Sequence, residues 1–61
     1  MTEEKYQSYR HQLTVESLEL RKRRCYLSAK ARIRKIAELD LEHKGIPKEE
    51  TLQKFNYYNI K

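Results

Sequence analysis

Apolar positions along this chain recur at helical spacing. Tyr6, Tyr9 and Leu13 stand at i, i+3 and i+7, and further on Val15, Leu18, Cys25, Ala29, Ile33 and Ile36 fall within one stripe at 100° per residue. Tyr26 and Ala37 lie at the edge of that stripe, and no glycine or proline interrupts the chain from Met1 to Lys44. The pattern predicts an all-α protein whose first element is either one long helix over 3–44 or two helices broken near 13–15. Thr14 is the residue that can cap a second helix there. The continuous form is preferred, because no turn residue marks a break. Such a helix would be about 60 Å long at 1.5 Å per residue, too long for so small a chain to cover.

Helix ends are marked more clearly. Thr2 followed by Glu3 and Glu4 supplies a capping hydroxyl and two acids at the positive end of the dipole. His43 and Lys44 suit a C-terminus, and Gly45 follows where a left-handed cap is wanted. Pro47 opens a short helix over 47–56, with Glu49 and Glu50 at its start and Lys54 four residues after Glu50. Leu52 and Phe55 share one side of it. The tail, 57–61, leaves the helix at Asn56. The whole of 1–61 reads as a single small helical domain.

A second apolar series has a seven-residue period: Tyr6, Leu13, Leu20, Leu27, Arg34 and Leu41. Its companion positions are Ser17, Arg24, Ala31 and Glu38, which make a poor coiled-coil seam. Two stripes on opposite faces predict a helix contacted from both sides, as in a bundle. Composition strengthens that expectation. Apolar residues are 38% of the chain and charged residues another 38%, a lean core for a domain that buries only about 60% of its unfolded surface. Small chains compensate by disulfides, metals or association. Cys25 is alone, so no internal disulfide forms, and with His11 and His43 it gives no zinc-ligand spacing. No metal or other cofactor is expected. Association remains, as a homo-oligomer or a hetero-complex, through Val15, Leu18, Cys25, Ala29, Ile33 and Ile36. On that stripe Cys25 is expected to be a buried, inert thiol, and His11 and His43 are read as surface residues.

Charge changes the picture most. Arg21 to Lys35 reads RKRRCYLSAKARIRK and holds eight cations (Arg21, Lys22, Arg23, Arg24, Lys30, Arg32, Arg34 and Lys35) with no acid. The block carries +8 and its flanks −2 and −1, which together make the +5 of the chain. Alanine, leucine and the cations themselves favour helix, so the block is expected to be helical and about 22 Å long. Like charges at i,i+4 cost a few tenths of a kcal/mol per pair. The flanks relieve that cost with Glu19–Arg23 and Asp40–Lys44; the block does not. A polyanionic partner is therefore expected: nucleic acid (DNA or RNA), or an acidic protein surface. Arg21, Arg24, Arg32 and Lys35 lie on adjoining sectors of a straight helix and form the favoured contact set. Tyr57 and Tyr58 either stack on exposed bases or pack against the hairpin, with packing preferred for at least one of them.

Several functions are disfavoured. A DNA-reading helix-turn-helix would want a small residue at Leu41 and no acids at Glu49 and Glu50. The segment AKARIRKIAEL lacks the asparagine with which basic-zipper helices read bases. There is no phosphate loop, nucleophile–base pair or set of convergent carboxylates, so neither catalysis nor a small-molecule ligand is expected. No stretch approaches the ~20 apolar residues of a membrane span, and MTEEKYQ has no signal-peptide shape. The location expected is cytoplasmic (intracellular), with no membrane partner. The leading expectation is a small nucleic-acid-associated regulatory or accessory protein that grips phosphate through the helix at 21–35. The alternative is an adaptor or inhibitor, of the kind small mobile elements encode, docking its basic helix on an acidic protein.

Overall fold

A computed structural model describes residues 1–60. It is all-helical: α1 spans Glu3–Lys22, α2 Tyr26–Lys44 and α3 Lys48–Lys54, followed by a 3-10 turn at Tyr57–Asn59. Helices α1 and α2 form an antiparallel hairpin, and α3 folds back beside the C-terminal half of α2. The body measures 32 × 21 × 13 Å, its long axis matching the roughly 30 Å length of a 20-residue helix. No described helix is long and apolar enough to cross a membrane.

The first helix is not continuous to Lys44, and its break is not near Thr14. Thr14 sits within α1 and donates its hydroxyl to the Arg10 carbonyl at 2.8 Å, an ordinary mid-helix arrangement. The chain reverses at Arg23–Cys25, inside the basic block. Arg24 takes a left-handed conformation, φ 63°. The Arg24 N–H donates to the Arg21 carbonyl at 3.1 Å, and the Cys25 N–H to the Leu20 carbonyl at 2.8 Å. This is a Schellman termination built without glycine.

Reversal there lets the chain cover its own stripes. Tyr6, Leu13 and Ser17 are buried from α1, and Ala29, Ile33, Ile36, Ala37, Leu39 and Asp40 from α2. Tyr6, Leu13, Ile36 and Leu39 form one cluster, with Phe55 packed against it. Fully burying a Leu or Ile side chain is worth about 1.5–3 kcal/mol. Ala29, Ile33 and Ile36, three of the residues expected to meet a partner, are used in this way inside the chain. Val15, Leu18 and Cys25, the other three, are exposed. Cys25 is not the buried thiol its stripe position implied, because the turn removes it from the stripe and makes it the residue preceding α2.

The expected ends of the other elements hold closely. The Thr2 hydroxyl accepts from the Lys5 N–H at 3.2 Å. Gly45 is left-handed with φ 69°. Pro47 precedes α3 rather than lying within it, and Asn56, φ 55°, turns the chain out of the helix. Ile60 is buried and pins the tail to the body, while Lys61 lies outside the described residues.

Candidate nucleic-acid interface

Charge is divided between the two ends of the hairpin. Residues 12–36, which make up the half nearest the turn, carry +6, and the rest of the chain carries −1. The base, where the N-terminus, α3 and the end of α2 meet, is close to neutral in sum and pairs Asp40 and Glu3 with basic side chains. The tip carries its excess of cations without such pairs.

At the base, Asp40 is fully buried. Its carboxylate accepts from the Tyr6 hydroxyl at 2.5 Å, from Arg10 Nε at 2.9 Å and Nη2 at 3.2 Å, and from the Thr51 hydroxyl at 2.9 Å. One side chain thus ties α1, α2 and α3 together. Burial alone would push this carboxyl up, but the hydrogen bonds from Arg10, Tyr6 and Thr51 outweigh it and hold it below the usual range. The Tyr6 phenol moves the other way, raised by burial and then by the adjoining carboxylate. Arg10 also stands 5.7 Å from the centre of the Phe55 ring. Among the described residues no buried side-chain nitrogen or oxygen lacks a partner.

Glu3 extends the same network. It accepts from Lys44 at 2.8 Å and pairs with His43 at 2.7 Å, and His43 stacks on Tyr6 with ring centres 4.3 Å apart. His43 is therefore half-buried rather than a free surface residue. Bonds from Lys44, then His43 and Gln7, bring the Glu3 carboxyl down to about 2. The intrahelical pair expected for Asp40 and Lys44 is absent, since Asp40 points inward and Lys44 reaches Glu3 instead.

At the tip, Lys22, Arg23 and Arg24 are exposed and Arg21 half-buried. None of the four has an ion-pair partner among the described residues, and Glu19 does not pair with Arg23, whose position caps α1. Arg21 and Lys22 stand in the last turn of α1, at the negative end of its dipole. Helix α2 begins at the same place without an acidic residue in its first turn and without a side-chain cap. Its positive end thus adds to the cations instead of opposing them.

The remaining cations are distributed along α2. Arg32 pairs with Glu16 at 3.0 Å across the hairpin. Lys30 Nζ lies 4.9 Å from the centre of the Tyr57 ring, and Arg34 Nη1 donates to the Tyr57 hydroxyl at 3.3 Å. Lys35 is exposed without an ion-pair partner among the described residues. The favoured set Arg21, Arg24, Arg32 and Lys35 does not form one row, because the turn divides it. Arg32 and Lys35 sit two to three helical turns down α2, roughly 10–14 Å from the tip. The structure instead gathers Arg21, Lys22, Arg23 and Arg24. Leu27, 83% exposed, stands beside them.

Sequence reasoning missed Asp40 and its partners. A usable signal was present: Ala29, Ile33, Ile36 and Asp40 are spaced by four, three and four, so Asp40 continues the buried stripe. A carboxylate on such a stripe requires donors, and Tyr6 and Arg10 carry them on the matching face of α1. No family model, curated protein or solved structure matches the chain.

Proposed function

We propose that the chain is a small nucleic-acid-associated regulatory or accessory protein that holds phosphates at the tip of its hairpin, through Arg21, Lys22, Arg23 and Arg24. The observation that carries this reading is the residue at the turn. Three described residues have left-handed backbones, and two of them are Gly45 and Asn56, the types that tolerate it. The third is Arg24, where glycine would relieve about 1 kcal/mol of backbone strain. The tip keeps a cation where folding alone favours glycine.

Phosphate suits the chemistry of this end. Four adjacent cations without carboxylate partners, together with the uncapped N-terminus of α2, offer charge-assisted donors from both side chains and backbone. Contacts of this kind position a protein on nucleic acid without reading its sequence. In a gel-shift assay with a mixed-sequence duplex and a structured RNA, binding should be insensitive to sequence and abolished by heparin. Capture of nucleic acid from host lysate should disappear on nuclease treatment. Survival of partner capture through nuclease and heparin would overturn the reading.

One feature favours a second reading. Leu27, Leu18 and Val15 are 83%, 47% and 39% exposed, and apolar residues beside a basic cluster suit an acidic protein partner with an apolar anchor site. An adaptor complex of that kind would survive moderate salt. Of the face expected for self-association, Val15, Leu18 and Cys25 are the residues left exposed.

A further inference from the structure

The tail offers a chemistry that the tip does not. Asn56 turns the chain out of α3 and the buried Ile60 fastens its far end, so the 3-10 turn between them is held at both sides. Within it Tyr57 is half-buried against α2, its ring facing Lys30 and its hydroxyl accepting from Arg34. Tyr58 stands edge-on to Tyr57, with ring centres 5.2 Å apart and planes at 89°. Tyr58 remains 60% exposed although its hydroxyl is tied to Glu49 at 2.7 Å. A chain with so few apolar residues thus fixes an aromatic ring in place and leaves it uncovered. Lys30 and Arg34 lie on Tyr57, the ring to which Tyr58 stands edge-on, and have no carboxylate partner among the described residues. Each contacts Tyr57 through only part of its donor set, so both retain N–H groups for phosphate.

We infer that Tyr58 is a stacking platform for an unpaired base, with Lys30 and Arg34 holding the neighbouring phosphates, so that the preferred ligand is single-stranded or looped nucleic acid rather than duplex. This rests on the phosphate-binding reading of the basic half and adds the class of strand to it. An aromatic face beside cations is the arrangement by which proteins hold single strands without sequence preference. Stacked duplex bases cannot reach a ring at the surface, whereas unpaired bases can. Glu49 fixes the ring through its phenol, and its carboxylate is engaged by that bond, with the phenol raised in pKa as a result.

The test is fluorescence anisotropy of the full chain with 15-nucleotide oligo-dT, 15-nucleotide oligo-U and a mixed-sequence 15-base-pair duplex, all at one salt concentration. The wild type should prefer the single strands over the duplex by about 10-fold or more. Tyr58→Ala should weaken single-strand binding by about 10-fold and change duplex binding by less than about twofold, while Tyr58→Phe, which keeps the ring, should retain most of the affinity. Equal affinity for oligo-dT and oligo-U assigns the contacts to base and phosphate, and a preference for oligo-U assigns some to the 2′-hydroxyl; either supports the platform. Tyr58→Ala binding single strands as the wild type does would overturn this inference and leave the tip as the binding element. Absence of binding to all three ligands would overturn the phosphate-binding reading itself.

Discussion

At the base of the hairpin α2 ends through Gly45 with φ 69°, and at the tip α1 ends through Arg24 with φ 63°. The backbone geometry is nearly the same; the residue choice is opposite. The two ends differ in the same sense elsewhere. Helix α1 begins at the base with a capping threonine and two acids, whereas α2 begins at the tip with neither. Asp40, Arg10, Glu3, His43 and Lys44 each have a polar partner within 3.2 Å, and Arg21 to Arg24 have no ion-pair partner among the described residues. The base follows the rules of stability. The tip departs from them, as the proposed phosphate-binding role requires.

The largest expected effect of breaking this contrast lies at Asp40. Asp40→Ala leaves the Arg10 guanidinium, the Tyr6 phenol and the Thr51 hydroxyl without their shared acceptor. Loss of one partner of a buried pair costs about 3 kcal/mol or more, and partial exposure of Arg10 (29%) places this case at the lower end. A domain of this size has only about 3–9 kcal/mol in total. Urea denaturation should show the variant largely unfolded, and a midpoint near that of the wild type would remove Asp40 from its structural role.

Acid should act on the base by the same route. Asp40 and Glu3 both titrate below their usual range when folded, Glu3 falling from 4.5 to about 2. Groups with depressed folded pKa values stabilise the fold above their unfolded values and lose that contribution as pH falls through the folded ones. Stability should therefore be level above about pH 5 and decline from about pH 4.5 towards 2, with Asp40 the larger contributor because Glu3 is exposed and screened. Melting temperature against pH checks this. A curve that stays flat to pH 3 would contradict the network.

The two left-handed caps give a matched pair of smaller effects. Gly45→Val should cost about 1 kcal/mol or more, since a β-branched residue is strongly disfavoured at positive φ. Arg24→Gly should do the reverse, stabilising by some tenths to about 1 kcal/mol while weakening phosphate binding. Lower stability in Arg24→Gly would show that the arginine serves the fold. The smallest effect belongs to Glu16→Gln, which breaks the exposed pair with Arg32 and should alter stability by less than about 1 kcal/mol.

How much of this was legible in the sequence follows from where the determinants lie. The helix ends at Thr2, Gly45 and Asn56 are set by local side-chain chemistry, and they fall where the residues indicate. The turn at Arg23–Cys25 is not set locally, since three residues with no turn preference reverse the chain. It is selected by tertiary burial, because a reversal there brings Tyr6 and Leu13 into one cluster with Ile36 and Leu39. For the same reason the cations were legible as a block but not as a surface. Their arrangement depends on the turn, which sends Arg32 and Lys35 along a different helix from Arg21. Asp40 was legible only as a polar residue on an apolar stripe, and its donors come from more than 30 positions away.

The separation of a stabilising base from a ligand-binding tip is tested most directly by replacing Arg21, Lys22, Arg23 and Arg24 together with glutamine. Glutamine keeps helix propensity similar, and none of the four belongs to the Asp40 network, so the denaturation midpoint should stay close to that of the wild type. Wild-type affinity for duplex should fall with salt at a slope in log–log form of about −3 to −4, at about −0.9 per phosphate contacted. In the quadruple variant the affinity should collapse, with the residual slope near zero. An unchanged fold with unchanged affinity and slope would contradict the account, and so would a variant that no longer folds.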